Sequence, residues 1–279
     1  MVGSSVTLDA TICSLFKSAP KLRLVQCIGA GIDKIPLDSI RGTNIKLADA
    51  SGSNSVPVAE HALALILVIA KKIVERDREV KAGIWERTPA MELQGKTHVI
   101  LGLGAIGTEL ARRSQAFGMR VIGIKKHPTK GLETRGVEVH RVADLHNVLP
   151  MADFLTISLP LTNETKGLIG KDELTLLKDN ASIVIVSRAA IVDEKALHEF
   201  LVDRRDSHAG IDTWYSMPPN PSAPSAYSIQ KLDNVVATPH IAGITPETVD
   251  RVFSIVSRNI DALESGKVLE NLVDLDLGY

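Results

Sequence analysis

At 279 residues the chain is long enough for one large domain or two modest ones, each with a real core. Hydrophobic residues make up 44% and charged residues 23%, as in an ordinary globular protein, and the formal net charge of −1 gives no electrostatic pull toward nucleic acid or an anionic membrane. Two cysteines, Cys13 and Cys27, cannot build a disulfide framework and point to a reducing, cytoplasmic setting. The opening Met1-Val-Gly-Ser-Ser lacks the charged and apolar regions of a secretory signal. The apolar run Ala62–Ala70 is too short to span a bilayer and is closed by Lys71 and Lys72.

In chain order, a strand is expected around Leu22–Cys27, followed by a turn at Gly29-Ala-Gly-Ile-Asp33, and a second buried strand at Ile45–Leu47. The polar loop Ser51–Ser55 leads into one long helix from Val56 to about Lys81, apolar in its first half and charged in its second. From Gly95 to about Ala242 strands and helices alternate, the pattern of a doubly wound parallel α/β sheet. The strands read as His98–Leu101, Arg120–Ile124, Phe154–Ser158, Ser182–Val186, Ala209–Asp212 and Val235–Thr238. The helices between them read as Ala105–Phe117, Lys171–Leu177 and Glu194–Asp203. Tyr215–Ala226 is rich in proline and reads as a loop, and Thr245–Ser265 is a final amphipathic helix with Val249, Val252, Phe253, Val256 and Ile260 on one stripe.

The chemistry starts at Gly102-Leu-Gly-Ala-Ile-Gly107, a G-x-G-x-x-G set between a short apolar strand and a helix. Glycine permits the tight turn, the close approach of backbone to a pyrophosphate and close helix–strand packing, while the helix N-terminus offers free N–H groups to the anion. Set in that context, the motif signals a dinucleotide site; taken alone, it is also compatible with a glycine-rich structural turn. A fold of this type that binds NAD usually carries Asp or Glu about twenty residues on, to hold the ribose 2′-OH. Here the next strand ends in Lys125-Lys126, which suits the 2′-phosphate of NADP better than a bare ribose and equally describes a solvated strand end. The cofactor expectation is therefore NADP over NAD.

Ser182–Val186 delivers Arg188 at its carboxyl end, where an open α/β sheet presents ligand-binding groups. A guanidinium fork matches a carboxylate bidentately, so Arg188 suits a 2-keto acid; a surface arginine capping the next helix has the same signature. His240 follows the strand at Val235–Thr238, and histidine is suited to give a proton to a keto oxygen as hydride reaches the carbon. A lone histidine is more often structural. What singles this one out is its company, a strand-end arginine downstream of the same dinucleotide turn. No metal site is expected.

Together these stretches resemble the D-isomer-specific 2-hydroxyacid dehydrogenase family across nearly the whole chain. The matching segments are Gly29-Ala-Gly-Ile-Asp33, Asn54-Ser-Val-Pro-Val-Ala-Glu-His61, Gly102–Gly107, Leu159-Pro-Leu-Thr-Asn-Glu-Thr165, Ser187-Arg-Ala-Ala-Ile-Val-Asp-Glu194, Ala209-Gly-Ile-Asp212 and Thr238-Pro-His-Ile-Ala-Gly243, in the family's order. The resemblance implies two Rossmann-like domains, a discontinuous substrate domain of residues 1–92 and 244–279 and an NAD(P)-binding domain of 93–243, with substrate between them. It implies a homodimer built through the region of the long helix, and a small 2-keto or 2-hydroxy acid as the only other partner. By position, Ala30 and Gly31 would offer backbone N–H groups to the substrate carboxylate, Arg188 would bind and polarise the keto acid, and His240 would be the acid or base. Gly102, Gly104, Ala105, Ile106 and Gly107 would meet the pyrophosphate, with Lys125 and Lys126 near the ribose. Leu159, Pro160, Thr165, Val186, Ser187, Asp212 and Gly243 would line the rest of the cofactor, Asp212 on the nicotinamide side.

The chain departs from the family pattern in three places. The family's usual glutamate, five residues after the aspartate matching Asp212, is Met217, and no Asp or Glu occurs from Thr213 to Leu232. Methionine can neither accept the second N–H of His240 nor supply opposite charge, so the histidine is expected to be a weaker acid at neutral pH. Formate dehydrogenases, a branch of the family, also lack that glutamate, and the family's corepressors sense nucleotide; both remain open as alternatives to a keto acid reductase. Ala189 replaces the usual Gly beside Arg188. Members also carry about fifty more residues before the point matching Met1, including a strand whose loss would expose unpaired edges, so the chain is expected to be N-terminally short.

Overall fold

A computed structural model of the chain describes residues 2–3, 11, 14, 16–33, 35–127, 136–216 and 224–276. The chain divides into two compact units, Met1–Pro57 with Gly243–Tyr279, and Val58–Ala242. The smaller unit is built on a parallel sheet in the order β1 (Val2–Gly3), β2 (Leu24–Cys27), β3 (Lys46–Ala48). Val25, Cys27 and Leu47 are buried with Phe16, Ile32, Ile35, Ile40 and Val273 in its core.

The larger unit opens with the helix α1 (Ser55–Lys71), which the pattern extends unbroken to Lys81. The structure ends it at Lys72, whose φ of 53° is left-handed, and restarts it as α2 (Ile73–Lys81). The carbonyl of Ala70, which a continuous helix would pair four residues on, accepts instead from the Met91 N–H at 2.8 Å. Lys71 Nζ donates to the Met91 carbonyl at the same place. The break falls where the buried half of the segment meets the charged half: α2 has no buried residue.

The strands are β4 (Thr97–Leu101), β5 (Arg120–Lys125), β6 (Glu138–Arg141), β7 (Phe154–Ile157), β8 (Ser182–Ile185), β9 (His208–Ile211) and β10 (Val235–Ala237). They form one fully parallel sheet in the order β10-β9-β8-β7-β4-β5-β6. The helices between them are α3 (Ala105–Ala116), α4 (Leu145–Val148), α5 (Lys171–Thr175) and α6 (Glu194–Asp203). Because both faces are covered, β4, β7 and β8 are buried at every position rather than at alternate ones, and most of their residues are apolar. Val99, Leu101, Ile183 and Ile185 pack on one face with Leu197 and Leu201 of α6. Ile100, Phe154 and Val184 pack on the other with Ala62, Leu65 and Ile66 of α1 and Leu110 of α3. Burying a Leu or Ile side chain contributes about 1.5–3 kcal/mol, so these layers dominate the stability of the unit.

That packing places residues 58–92 with the dinucleotide-type sheet, whereas the family resemblance assigned them to the substrate domain. The sequence pattern also misses β6, a polar edge strand, and the single turn α4. The last helix, α7 (Pro246–Glu264), belongs to the smaller unit, starting from a Thr245 cap that accepts from the Thr248 N–H. Among the described residues no helix is long and apolar enough to cross a membrane.

Candidate active site

The sheet changes winding direction between β4 and β7, and at such a switch point the two strand ends diverge to leave a crevice. Gly102–Gly107 leaves β4 there, beside the Ser158–Pro160 segment that leaves β7. Three glycines of the turn have different reasons to be glycine. Gly102 has φ +109°, and a Cβ on it would lie 2.9 Å from the Ser158 and Leu159 backbone. A Cβ on Gly107 would overlap the Gly102 carbonyl oxygen, so this residue seats α3 on the turn. A Cβ on Gly104 would meet nothing within 4 Å, and φ is an ordinary −80°. Gly104 is thus glycine for no internal reason, and it caps the helix whose first N–H groups, at Ala105 and Ile106, have no intrahelical acceptor. The space above Gly104 and those donors fit a dinucleotide pyrophosphate, which needs the backbone itself to come close.

Further along the same carboxyl edge, β8, β9 and β10 lie side by side and deliver Arg188, Asp212 and His240. Val186 and Ser187 are buried, and the Ser187 hydroxyl donates to the Ile157 carbonyl at 3.1 Å, tying the end of β8 to β7. Arg188 is half-buried, and its Nη1 donates to the Ser187 carbonyl at 2.9 Å. Ala189, at the start of a 3-10 turn, is not among the described residues with positive φ, so its methyl group imposes no backbone strain there.

Asp212 is fully buried and works on the next loop. Its Oδ1 accepts from the Thr238 hydroxyl at 2.6 Å and the Ile241 N–H at 3.0 Å, and its Oδ2 from the Ala242 N–H at 3.0 Å. The indole N–H of Trp214 donates to the Thr238 carbonyl at 2.9 Å. One carboxylate and one indole therefore pin the backbone on both sides of His240, whose φ of 57° is left-handed and costs free energy for a residue with a side chain. The resemblance assigned Asp212 to the cofactor lining; in the structure its oxygens accept three hydrogen bonds from the protein's own donors. Nothing local in the sequence announces this clamp, which joins residues about thirty apart through backbone amides.

Lys125 ends β5 half-buried, while Lys126 is exposed and pairs with Glu164 at 2.6 Å. Leu159 and Pro160 follow β7, and the Thr165 hydroxyl donates to the Pro160 carbonyl at 2.7 Å, shaping that loop. In the smaller unit, Ala30 and Gly31 lie in the turn after β2, where the Ala50 N–H donates to the Gly29 carbonyl. A Cβ on Gly243 would come within 3.0 Å of the Asn54 side chain of the same unit. Position 217 lies outside the described residues. Among the described residues, no three His, Cys, Asp or Glu side chains gather as metal ligands.

Residues 63–242 match the family model described as the D-isomer specific 2-hydroxyacid dehydrogenase NAD binding domain. The chain is 37% identical over 278 residues to D-3-phosphoglycerate dehydrogenase of Archaeoglobus fulgidus, covering 99% of this chain and 51% of that one. It is also 37% identical to glyoxylate reductase of Aeropyrum pernix, covering 96% of this chain and 81% of the other. It therefore spans about half the length of the phosphoglycerate dehydrogenases it matches. Among solved structures, a D-isomer specific 2-hydroxyacid dehydrogenase from Xanthobacter autotrophicus Py2, in complex with NADPH and MES, superposes with a TM-score of 0.82 at 27% identity, covering 95% of this chain and 82% of that one.

Proposed function

The chain belongs to the D-isomer specific 2-hydroxyacid dehydrogenase family, and on that premise we propose that it reduces a small 2-keto acid, such as glyoxylate or hydroxypyruvate, to the D-2-hydroxy acid. The observation that carries this reading is the strand-end trio, an arginine and a left-handed histidine on either side of an aspartate that pins the histidine's loop. The residues that would hold a nicotinamide dinucleotide are Gly102, Gly104, Ala105, Ile106 and Gly107 at the pyrophosphate, with Leu159, Pro160, Thr165, Val186 and Ser187 along the neighbouring strand ends. When bound, that cofactor supplies the hydride for the carbonyl carbon. Arg188 binds the substrate carboxylate and draws electron density toward the keto oxygen, and His240 gives its proton to that oxygen as the C–H bond forms. Asp212 keeps His240 where it can do so.

The test is steady-state oxidation of NADPH and NADH against a panel of 2-keto acids. His240→Ala is expected to lower kcat by about 10²–10⁴-fold, the usual contribution of a positioned acid. Arg188→Ala is expected to raise KM as well as lower kcat. Met217 supports a second reading, a nucleotide sensor, for which the outcome is tight NADPH binding with no turnover of any acid in the panel.

The preferred cofactor in this reading is NADP. What supports it is the position of Lys125 at the end of β5, where NAD-binding folds carry an acid, together with the NADPH held by the Xanthobacter relative. Lys125, the last residue of β5, carries the proposal by its position. Lys125→Asp should cut the NADPH-to-NADH ratio of kcat/KM by about tenfold or more, the loss of one charge-assisted contact; an unchanged ratio overturns it. Self-association as a homodimer is supported by the exposed Ile73, Val80, Ile84 and Trp85 on and after α2, with Trp85 80% exposed.

A further inference from the structure

Behind the clamp on the His240 loop, a second histidine stands in line. His61 is on α1, and its Nε2 lies 3.0 Å from Thr238 Oγ1 and 3.6 Å from Asp212 Oδ1. The hydrogen-bond roles along this row are fixed by counting protons. Asp212 accepts backbone N–H groups at both oxygens, and the one hydroxyl hydrogen of Thr238 goes to Oδ1. The Thr238 oxygen can then only accept from the ring, so His61 carries its hydrogen on Nε2. The row runs in one direction, from imidazole N–H to hydroxyl to carboxylate, and the carboxylate holds the amides of Ile241 and Ala242.

The packing that delivers His61 is specific. Leu65 and Ile69 follow it at one and two helical turns, and both lie over Gly210 of β9, where a Cβ would be 2.9 Å from Leu65 Cβ and 3.3 Å from Ile69 Cδ1. Glycine at 210 lets α1 sit directly on the strand that ends, two residues later, in Asp212. The helix thus presents His61 to the end of β9 and the loop after β10 as a fixed part of the sheet's cover, although 177 residues separate it from Thr238.

We propose that His61 and Thr238 are positioning residues for His240. His61 fixes the rotamer of the Thr238 hydroxyl, Thr238 fixes Asp212, and Asp212 holds the loop so that the left-handed His240 keeps one orientation. A side chain held at a costly φ relaxes when its restraints go, so the row converts packing of α1 into aim of the acid. The proposal rests on the reductase reading for its effect on rate, and on the hydrogen-bond row alone for its effect on the loop.

The experiment uses the full chain and reads both. Thr238→Val and His61→Leu remove one link each with little change of volume, and Thr238→Ser keeps the hydroxyl. Expected are a fall in kcat of about tenfold or more for the first two with KM and NADPH Kd within about twofold, as misaim without lost binding predicts, and a kcat for Thr238→Ser that recovers most of that loss. Amide hydrogen exchange at Ile241 and Ala242, followed without substrate, should quicken in Thr238→Val and His61→Leu and stay slow in Thr238→Ser. Unchanged exchange and unchanged kcat in both link-removing variants, or equal losses in Thr238→Ser and Thr238→Val, overturn the proposal. If the unmodified chain turns over no keto acid while the exchange pattern appears, the reductase reading falls and the row stands.

Discussion

The turns after β4 and after β10 leave the same edge of the same sheet and are built by opposite means. The first is shaped by side chains that are missing: Gly102 allows a forbidden φ, Gly107 lets a helix settle onto a carbonyl, and Gly104 leaves room for something not part of the protein. The second is shaped by side chains that are present, with a buried carboxylate, a hydroxyl and an indole gripping the backbone around one strained histidine. The difference follows from what each must present. A pyrophosphate is met by backbone N–H groups, so removing atoms is enough. A proton donor must be aimed, and aim in a short loop requires restraint from outside it.

Substitutions can break the comparison at either end. The largest effect is expected at the gripped turn: Asp212→Ala leaves the Ile241 and Ala242 amides and the Thr238 hydroxyl without their acceptor, and kcat should fall by about 10²–10⁴-fold, as if the acid itself were lost. A rate within a few-fold of the unmodified chain would mean that the loop holds its own shape. At the glycine turn, Gly107→Ala should destabilise the fold by about 1–3 kcal/mol in urea titrations, because helix and turn must move apart. Gly104→Ala should leave stability within about 0.5 kcal/mol, as for a surface change, and weaken dinucleotide binding by calorimetry. Equal stability losses in the two variants would erase the distinction between a glycine kept for the fold and one kept for a ligand.

A further effect, on stability alone, is expected outside both turns. His98 on β4 is fully buried between Ser114 and Thr156, hydrogen-bonded to both hydroxyls, and burial pushes its imidazole down to about 3. The unfolded chain takes up that proton near the ordinary histidine value, so this contribution is complete above about pH 6.5 and declines as the pH falls toward 3, by at most about 1.4 kcal/mol per pH unit. Denaturant unfolding at pH 7 and pH 5 should show the drop, and in His98→Leu the drop should shrink by about 2 kcal/mol.

These contrasts also mark what the sequence could disclose. The central strands were legible because a doubly covered parallel strand carries mostly apolar residues on both faces, and the glycine turn because its requirements are local and nearly all fall within six residues. Glu138–Arg141 was not legible as a strand, since an edge position asks nothing of its side chains but tolerance. Nor was the stop at Lys72, because a helical period continues through it and the competing partner, Met91, lies nineteen residues away. Arg188 and His240 could be singled out by residue type at strand ends. The roles of Asp212 and His61 could not, since their partners are distant in sequence and, for Asp212, are backbone amides that carry no residue signature.

Gly210 draws these threads to a practical point. It touches no substrate and carries no functional group, and its contacts are with Leu65 and Ile69. Any larger residue there wedges the helix outward and carries the His61 ring with it. A mutational survey scored on turnover would therefore rank this silent position beside the reacting residues, and a survey scored on folding would file it with the core. The two rankings meet at one atom's width of space.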